Sequence, residues 1–429
     1  MEKITKNYKL IIAIIVVLAV ALRIFFVENT DIATYQFDCG MTETLAGENG
    51  YEALYTEYDS GNNEGRHIDY IMKLYNNWDL PNKIIGQFYH PPLHHTIMAL
   101  TLKVFDNFDM DAMHKFEGMQ YVTLIYSLVL IYVGYKILEH FEVKDKYKII
   151  PMLLFSFYPL CVFLSGSINN DELVTMFSML ALLYTLKWET MPSMKNAIWL
   201  AIWIGLGLMT KTSAVVMLIP AVYVYFKEFK TSTDNTNKVL NLIFQMVIVA
   251  VIIAVLGGWF HIKSLSEGLN TIGIIQPYEE LSVEKYGLWA RFGLTNPLEW
   301  QGNNLWSYFL HSSLNFTVVI KNLAFEMIFI VMAIIILVVS LYYLLKNAKE
   351  NKVLIVTTII WWLSYIYLNI SMPYSCSMHS RYMYIPLAIG FVALGKGLQN
   401  SENEKMNFSM TVLTVAFSIL SVMKFFVIF

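Results

Sequence analysis

The sequence has 429 residues, of which 56% are hydrophobic and only 15% are charged, and its mean hydropathy is +0.50. One soluble core cannot bury so much apolar surface, so the composition excludes an ordinary soluble protein and predicts a polytopic membrane protein. The net charge of −3 gives no sign of a nucleic-acid partner. The cysteines, Cys39, Cys161 and Cys376, show no C-x-x-C pattern, so neither a zinc knot nor a disulfide framework is indicated.

The first apolar stretch, residues 10–27, follows several lysines and is long enough to span a bilayer. Because Glu28 and two polar residues follow it instead of a small-residue cleavage site, we interpret it as an uncleaved anchor. The predicted spans cover residues 10–27, 118–138, 149–165, 172–187, 196–210, 213–227, 239–259, 322–345, 353–371, 382–397 and 408–428. We therefore expect an all-α polytopic membrane protein with about eleven transmembrane helices, within a range of about 11–13.

A shorter run at residues 91–105 contains two prolines, two histidines and Lys103, and we do not count it as a full crossing. The lysine-rich connections between the later spans then fall on one side, and the positive-inside rule assigns them, with the N-terminus, to the cytoplasm. The extracytoplasmic face receives the long loops 28–92 and 260–321. We expect a single membrane domain over residues 1–429, with no separate soluble domain.

The loop 28–92 is rich in carboxylates, and Asp59 and Glu64 lie shortly before His67 near its end. A solvated acidic loop is the simple interpretation of any one carboxylate. After His67, however, apolar residues recur at helical spacing, which predicts an amphipathic helix along the membrane interface. These residues are Ile68, Ile71, Met72 and Tyr75. Such a helix would hold Glu64 and His67 at membrane level, where a carboxylate could act as general base on an acceptor hydroxyl.

The motif Tyr89-His90-Pro91-Pro92-Leu93-His94 predicts an extended entry into a helix. Each proline disfavours helix at the residue before it, and Pro92 suits a first helical turn. His90 and His94 are four residues apart and could share one helix face. They could then contact a phosphate or hydroxyl group, hold a metal ion, or pack inside the protein, and the residues alone leave all three open.

The segment Ser167-Ile-Asn169-Asn170-Asp171-Glu172 opens an apolar helix, where Asn or Asp is an ordinary N-cap. Capping explains one polar residue but not so many at the end of two apolar segments. We therefore predict a polar site at the outer leaflet that includes Asn170, Asp171 and Glu172. Lys211, at a break between two short apolar helices, either extends to the interface or binds a lipid phosphate.

Arginine is scarce in this chain, with four among 30 basic residues, so Arg381 beside Tyr382 at the external start of an apolar helix is notable. Its guanidinium could bind a phosphate through two hydrogen bonds, or could anchor the helix end. The segment Trp259-Phe-His261-Ile-Lys263 is typical of an interfacial aromatic belt, and His261 is a further candidate ligand.

The order of these motifs resembles the order in which similar motifs occur in the GT-C glycosyltransferases. The resemblance is to the group similar to dolichyl-phosphate-mannose protein mannosyltransferases and lipid A aminoarabinose transferases, and it covers nearly the whole chain. The motifs that carry it are the Glu64-x-x-His67 segment, Tyr89-His90-Pro-Pro-Leu, Asn169-Asn170-Asp171, Thr210-Lys211, Asn304-Leu-Trp306-x-Tyr308 and Cys376-x-x-x-x-Arg381-Tyr382.

The resemblance implies transfer of a sugar, with inversion, from a polyprenyl-phosphate carrier to an extracytoplasmic glycan, lipid or protein. The first-loop acid of the family belongs to an Asp-Glu pair, which here falls on Asn63-Glu64. Asn63 therefore stands where the family has its catalytic Asp, so either Glu64 acts as base, or Asp59 does, or the activity is altered. The second acidic position maps on Asp171, and Lys211 and Arg381 fall where the family places basic residues near the lipid phosphate.

The candidate catalytic residues are therefore Asp59, Glu64 and Asp171. The candidate substrate-binding residues are His67, Tyr89, His90, His94, Asn170, Glu172, Lys211, His261, Arg381 and Tyr382. No cofactor is required by this interpretation, and a divalent metal remains open. Membrane lipids are the expected surroundings, most simply in the plasma membrane of a prokaryote. Two alternatives stay open: a catalytically silent relative that binds a lipid phosphate, and a transporter or flippase for a polyprenyl lipid.

Overall fold

The computed structural model describes residues 2–30, 66–81, 86–268, 288–293, 304–314, 323–371 and 375–427. Within these ranges all regular secondary structure is helical. The first half contains α1 (Glu2–Glu28), α2 (His67–Asn77), α3 (Leu93–Phe105), α4 (Ala112–Gly118), α5 (Gln120–His140), α6 (Asp145–Phe157), α7 (Pro159–Phe163), α8 (Asp171–Thr190) and α9 (Met194–Leu208). The prediction of an all-α protein is confirmed.

The second half continues in the same way, with a π-helical turn at Ala254–Gly258. Its α-helices are α10 (Leu218–Thr231), α11 (Thr236–Ile253), α12 (Trp259–Ser266), α13 (Leu288–Arg291), α14 (Leu305–Ser313), α15 (Leu323–Lys346), α16 (Lys352–Ser371), α17 (Tyr384–Gln399) and α18 (Glu404–Val427). Short 3-10 helices occur at Gly86–Tyr89, Leu164–Gly166, Thr212–Met217, Ser375–Met378 and Ser380–Met383.

Seven helices of the described chain are long and apolar enough to cross a membrane. They are Asn7–Glu28, Ala112–His140, Thr212–Thr231, Thr236–Ser266, Ala324–Lys346, Lys352–Ser371 and Glu404–Phe426. The bent pair Asp145–Phe157 and Pro159–Gly166, at an angle of 52°, would be an eighth. The bend lies at Tyr158, whose backbone is extended because proline disfavours helix at the preceding residue.

The prediction of about eleven crossings is therefore not confirmed. Two predicted spans, residues 196–210 and 382–397, correspond to α9 and α17, which have 15 and 16 residues. A straight helix needs about 20 residues to cross a hydrocarbon core of about 30 Å. Nearly all of α17 is buried against other parts of the protein, so its apolar residues are explained by packing. The interrupted run at 91–105 forms α3, which has 13 residues and is shorter still.

The chain divides into two compact units. Unit 1 comprises Met1–Leu22, Leu130–Phe163 and Pro277–Phe429, and unit 2 comprises Arg23–Val129 and Leu164–Gln276. In unit 1, α17 packs against α6 and α15, and α18 packs against α6. In unit 2, α8 packs against α9, α9 packs against α11, and α2 packs against α3. The assignment of residues 1–429 to one membrane domain stays a prediction.

The amphipathic helix predicted after the first loop forms at the predicted position, as α2. Its first turn is closed by Asp69, whose Oδ2 accepts hydrogen bonds from the backbone N of Arg66 at 2.8 Å and from Arg66 Nε at 2.9 Å. An acceptor at this place satisfies an N–H that has no partner inside the helix. Ile68, Ile71 and Met72 are fully buried. The predicted apolar face of α2 therefore packs inside the protein, and the His67 side chain is buried with it.

Candidate functional site

The amino end of α8 is the centre of the candidate site in unit 2. The backbone N of Asp171 donates to Oδ1 of Asn169 at 2.9 Å, which starts the helix with Asp171 and Glu172 in its first turn. The Asp171 carboxylate is nearly buried, and its Oδ1 lies 2.5 Å from Nζ of Lys211. The Lys211 side chain is only 12% exposed. Of the two sequence-based interpretations of Lys211, extension into the interface is therefore wrong for this structure, because the ammonium group turns inward to a carboxylate.

Residues from three other elements contact the carboxyl end of α9, and Lys211 lies just after this end. The last carbonyl groups of a helix have no partner within it. Here Met209 O accepts from the backbone N of Leu93 at 3.0 Å, and Thr210 O accepts from Nδ2 of Asn170 at 3.3 Å. Nε2 of His261 lies 3.4 Å from Leu208 O. Asn170 and His261 therefore position the turn that carries Lys211.

Glu172 is completely buried, and burial raises its pKa to about 8, against smaller lowering effects of the Arg23 charge and the Ser127 hydroxyl. The Arg23 side chain of α1 is also completely buried, and its Nε donates to Oγ of Ser127 on α5 at 3.0 Å. Sequence analysis missed Arg23, although a charged residue inside an apolar stretch is a recognised functional signal. The two neighbouring acids therefore differ, because Asp171 forms an ion pair with Lys211 whereas Glu172 is mostly protonated near pH 7.

Four histidines lie together between α2 and α3. Nδ1 of His67 and Nε2 of His95 are 2.9 Å apart, so one of these nitrogens donates to the other. The His90 ring is parallel to that of His67 at a centroid distance of 5.7 Å, and Nε2 of His90 contacts Oε1 of Gln87 at 2.9 Å. The Tyr89 ring lies 4.0 Å from His90. The structure thus brings together three predicted residues and adds His95.

His94, the remaining member of this group, lies among the charges at the amino end of α8. It is completely buried, and within the described part of the chain neither ring nitrogen has a hydrogen-bond partner. Burial lowers the pKa of His94 to about 3; the smaller effect of Asp171 raises this pKa, and that of Lys211 lowers it further. Burial also lowers the pKa of His95. Both imidazoles are therefore neutral near pH 7, and each can offer one N–H donor.

Arg381 and Tyr382 lie in unit 1, in the 3-10 helix Ser380–Met383 before α17. Nη2 of Arg381 donates to the hydroxyl of Tyr382 at 2.9 Å, and its backbone N donates to Nδ1 of His379 at 3.1 Å. Nε1 of Trp361 donates to Tyr382 O at 2.6 Å. A second buried arginine, Arg291, donates from Nη2 to Oγ of Ser377 at 2.6 Å. Arg291 was missed because nothing in the sequence of its loop marks it.

Comparison with known proteins shows what this chain is similar to. Residues 89–259 match the family model described as dolichyl-phosphate-mannose-protein mannosyltransferase. The Archaeoglobus fulgidus oligosaccharyltransferase, solved with zinc and sulfate, superposes with a TM-score of 0.50 at 14% identity over 97% of this chain. This chain covers 53% of that protein, so it spans about half its length. ArnT from Cupriavidus metallidurans, in the apo state, gives a TM-score of 0.38 at 13% identity over 79% of this chain and 72% of its own. No curated protein matches the sequence.

Residues 89–259 of the chain match this family model, and the fold is similar to that of the archaeal oligosaccharyltransferase. The matched segment contains His90, His94, Asp171 and Lys211, whereas Arg23, His67 and His261 lie outside it. The resemblance to GT-C glycosyltransferases that the sequence analysis stated is confirmed. The roles of the individual site residues stay predictions.

Two predicted catalytic residues, Asp59 and Glu64, lie outside the described residues, as does Asn63. Among the residues that the structure does describe, no three His, Cys, Asp or Glu side chains are grouped so that they could hold a metal ion. Within the histidine group, His67 stacks on His90 and His95 and bonds to His95, while His94 contacts His67 and His95 edge-on.

Proposed function

We propose that this protein transfers a sugar from a polyprenyl-phosphate-linked donor to an acceptor on the extracytoplasmic face of a prokaryotic plasma membrane, with inversion at the anomeric carbon. The observation that carries the proposal is the buried Lys211–Asp171 ion pair with the neutral His94 beside it. A cation and a neutral N–H donor shielded from water suit a single phosphate group. This pair lies within the residues that match the mannosyltransferase model.

In the proposed reaction a carboxylate, Glu64 or Asp59, takes the proton of the acceptor hydroxyl. The acceptor oxygen attacks the anomeric carbon from the side opposite the phosphate, a new C–O bond forms, and the C–O bond to the phosphate breaks. The electron pair of that bond leaves with the polyprenyl phosphate, whose charge rises from that of a phosphodiester to that of a monoester. Lys211 stabilises this growing charge, the electrostatic contribution that is usually the largest in enzyme sites.

A divalent metal is a separate part of the proposal. The archaeal oligosaccharyltransferase was solved with zinc and sulfate. In the present chain the candidate acids Asp59, Glu64 and Asp171 are oxygen ligands of the kind that such ions accept. Transfer should be measured after EDTA treatment and after addition of Mg²⁺, Mn²⁺ or Zn²⁺. Loss of transfer with EDTA and recovery with one ion supports a metal; full transfer in EDTA eliminates it.

The test of the function is transfer of a radiolabelled sugar from a panel of polyprenyl-phosphate sugars to acceptors in a membrane extract. The purified protein should be compared with Asp59→Asn, Glu64→Gln and Asp171→Asn. We expect one first-loop variant to lose transfer while it still binds the lipid phosphate, which would identify the base. Binding without transfer from any donor would favour the silent relative or the transporter instead.

A further inference from the structure

The lysine to which we assign the lipid phosphate already has an anionic partner. Nζ of Lys211 lies 2.5 Å from Asp171 Oδ1, and the two side chains are 12% and 5% exposed. An ion pair this close and this shielded from water is a strong electrostatic contact. A phosphate that approaches Lys211 therefore meets a bound carboxylate and not a vacant cation.

The surroundings of this ion pair are those of an anion site. Helix α8 has 20 residues, and its amino end carries a partial positive charge that favours anions. The neutral, completely buried His94 lies close enough for electrostatic interaction with both Asp171 and Lys211, and within the described residues its ring nitrogens have no hydrogen-bond partner. The Oδ1 atom of Asn170 is likewise buried and without a partner there. A cation, a helix amino end and an unused donor thus surround the Asp171 carboxylate.

The net charge of the Lys211–Asp171 pair determines how a second anion can bind at this site. With Asp171 in place, the pair is neutral, and a phosphodiester would add one uncompensated negative charge to a buried place. A buried charge without compensation is strongly unfavourable. If Asp171 leaves Lys211, the phosphate takes over the cation and the Asp171 carboxylate becomes available to other partners.

We propose that Asp171 is an internal competitor for the donor phosphate, so that the donor binds by displacing the Asp171 carboxylate from Lys211. This inference rests on the proposed function and adds the order in which its steps occur. Donor binding comes first, and it releases Asp171 for its catalytic role. As the sugar leaves, the phosphate gains charge and holds Lys211 more strongly; after the polyprenyl phosphate departs, Asp171 binds Lys211 again.

The experiment measures binding of a polyprenyl phosphate to the full-length protein in nanodiscs. Asp171→Asn removes the competing charge, and we expect it to bind the lipid about tenfold more tightly than wild type while sugar transfer falls. Asp171→Ser is a second neutral variant, used if the Asn protein does not fold. Asp171→Glu keeps the charge and should bind close to the wild-type affinity.

Two further carboxylates of α8 provide matched controls. Glu189→Gln removes one partner of an ion pair with Lys227 at the other end of the same helix, and it should not change lipid affinity. Glu172→Gln replaces a buried acid next to Asp171 that is mostly protonated near pH 7, because burial raises its pKa to about 8, so its effect should be clearly smaller than that of Asp171→Asn.

Equal or weaker binding by the neutral Asp171 variants would overturn the inference. So would equal tightening by Glu172→Gln, because the effect would then not depend on the Asp171 charge. Failure of the proposed function looks different: the wild type would bind no polyprenyl phosphate, or would bind it and transfer no sugar. If Asp171→Asn binds the lipid more tightly but the wild type transfers no sugar, the inference that Asp171 competes with the phosphate holds and the proposed transferase function fails.

Discussion

The close contact of Gly257 with the end of α9 gives a sharp test of how Lys211 is held. A Cβ added at Gly257 would overlap the carbonyl oxygen of Gly205 and would lie 2.6 Å from Cβ of Leu208. It would also lie 3.1 Å from the backbone N of Met209. Two of these three neighbours are backbone atoms, so they can give way only if the helix end moves.

The neighbouring glycine is a matched control. A Cβ at Gly258 would meet its nearest atoms at 3.6 and 3.7 Å, which is ordinary contact. Gly258→Ala should therefore gain the helix propensity of alanine, up to about 1 kcal/mol. Gly257→Ala gains the same propensity but adds an overpacking cost of about 1–3 kcal/mol, so we expect it to be the less stable of the two by that amount.

The assay is thermal unfolding in detergent, followed by intrinsic tryptophan fluorescence, together with sugar transfer. We expect Gly257→Ala to unfold at a lower temperature than Gly258→Ala and to lose transfer as well, because the end of α9 carries Lys211. Equal unfolding temperatures and equal transfer for the two alanine variants would refute the reasoning that this close contact positions the site.

Three other predictions concern buried polar side chains. Arg23→Met should destabilise the protein by about 1–3 kcal/mol because the buried Ser127 hydroxyl loses its hydrogen-bond donor and Glu172 loses a favourable neighbouring charge. In thermal unfolding, Arg23→Met combined with Glu172→Gln should lose less than the sum of the two single variants, and an additive loss would contradict the coupling of the two side chains. The pKa of His94 falls from 6.5 to about 3 on folding, so below pH 6.5 the unfolded chain binds a proton that the folded chain does not. Because of His94, the free energy of unfolding should then fall by about 1.4 kcal/mol for each unit by which the pH is lowered. Between about pH 6.5 and about pH 4.5, the free energy of unfolding of His94→Gln should therefore fall less steeply than that of the wild type. Arg381→Lys, which loses the planar group that bonds Tyr382, should lower sugar transfer about tenfold if Arg381 contacts the donor, and unchanged kinetics would limit it to anchoring α17.

Local signals in the sequence were sufficient for the membrane character and for several helix starts. The apolar spacing after His67 predicted α2, and the two prolines before Leu93 predicted the entry into α3, because each rests on a rule that acts within a few residues. The number of crossings was not determined in this way. An apolar run has the same composition whether it faces lipid or other helices, and α9 and α17 show that packing can use such runs at lengths of 15 and 16 residues.

The sequence by itself thus determined an all-α membrane protein and its resemblance to GT-C glycosyltransferases, together with the polar segments proposed to carry its chemistry. Only the tertiary structure decided which side chains meet. Lys211 could have extended to the interface, yet it pairs with Asp171, 40 residues away, and His67 bonds to His95, 28 residues away. Arg23 interacts electrostatically with Glu172 from a different helix. The physical reason is that a buried charge must find a partner, and which partner lies within reach depends on how the helices pack.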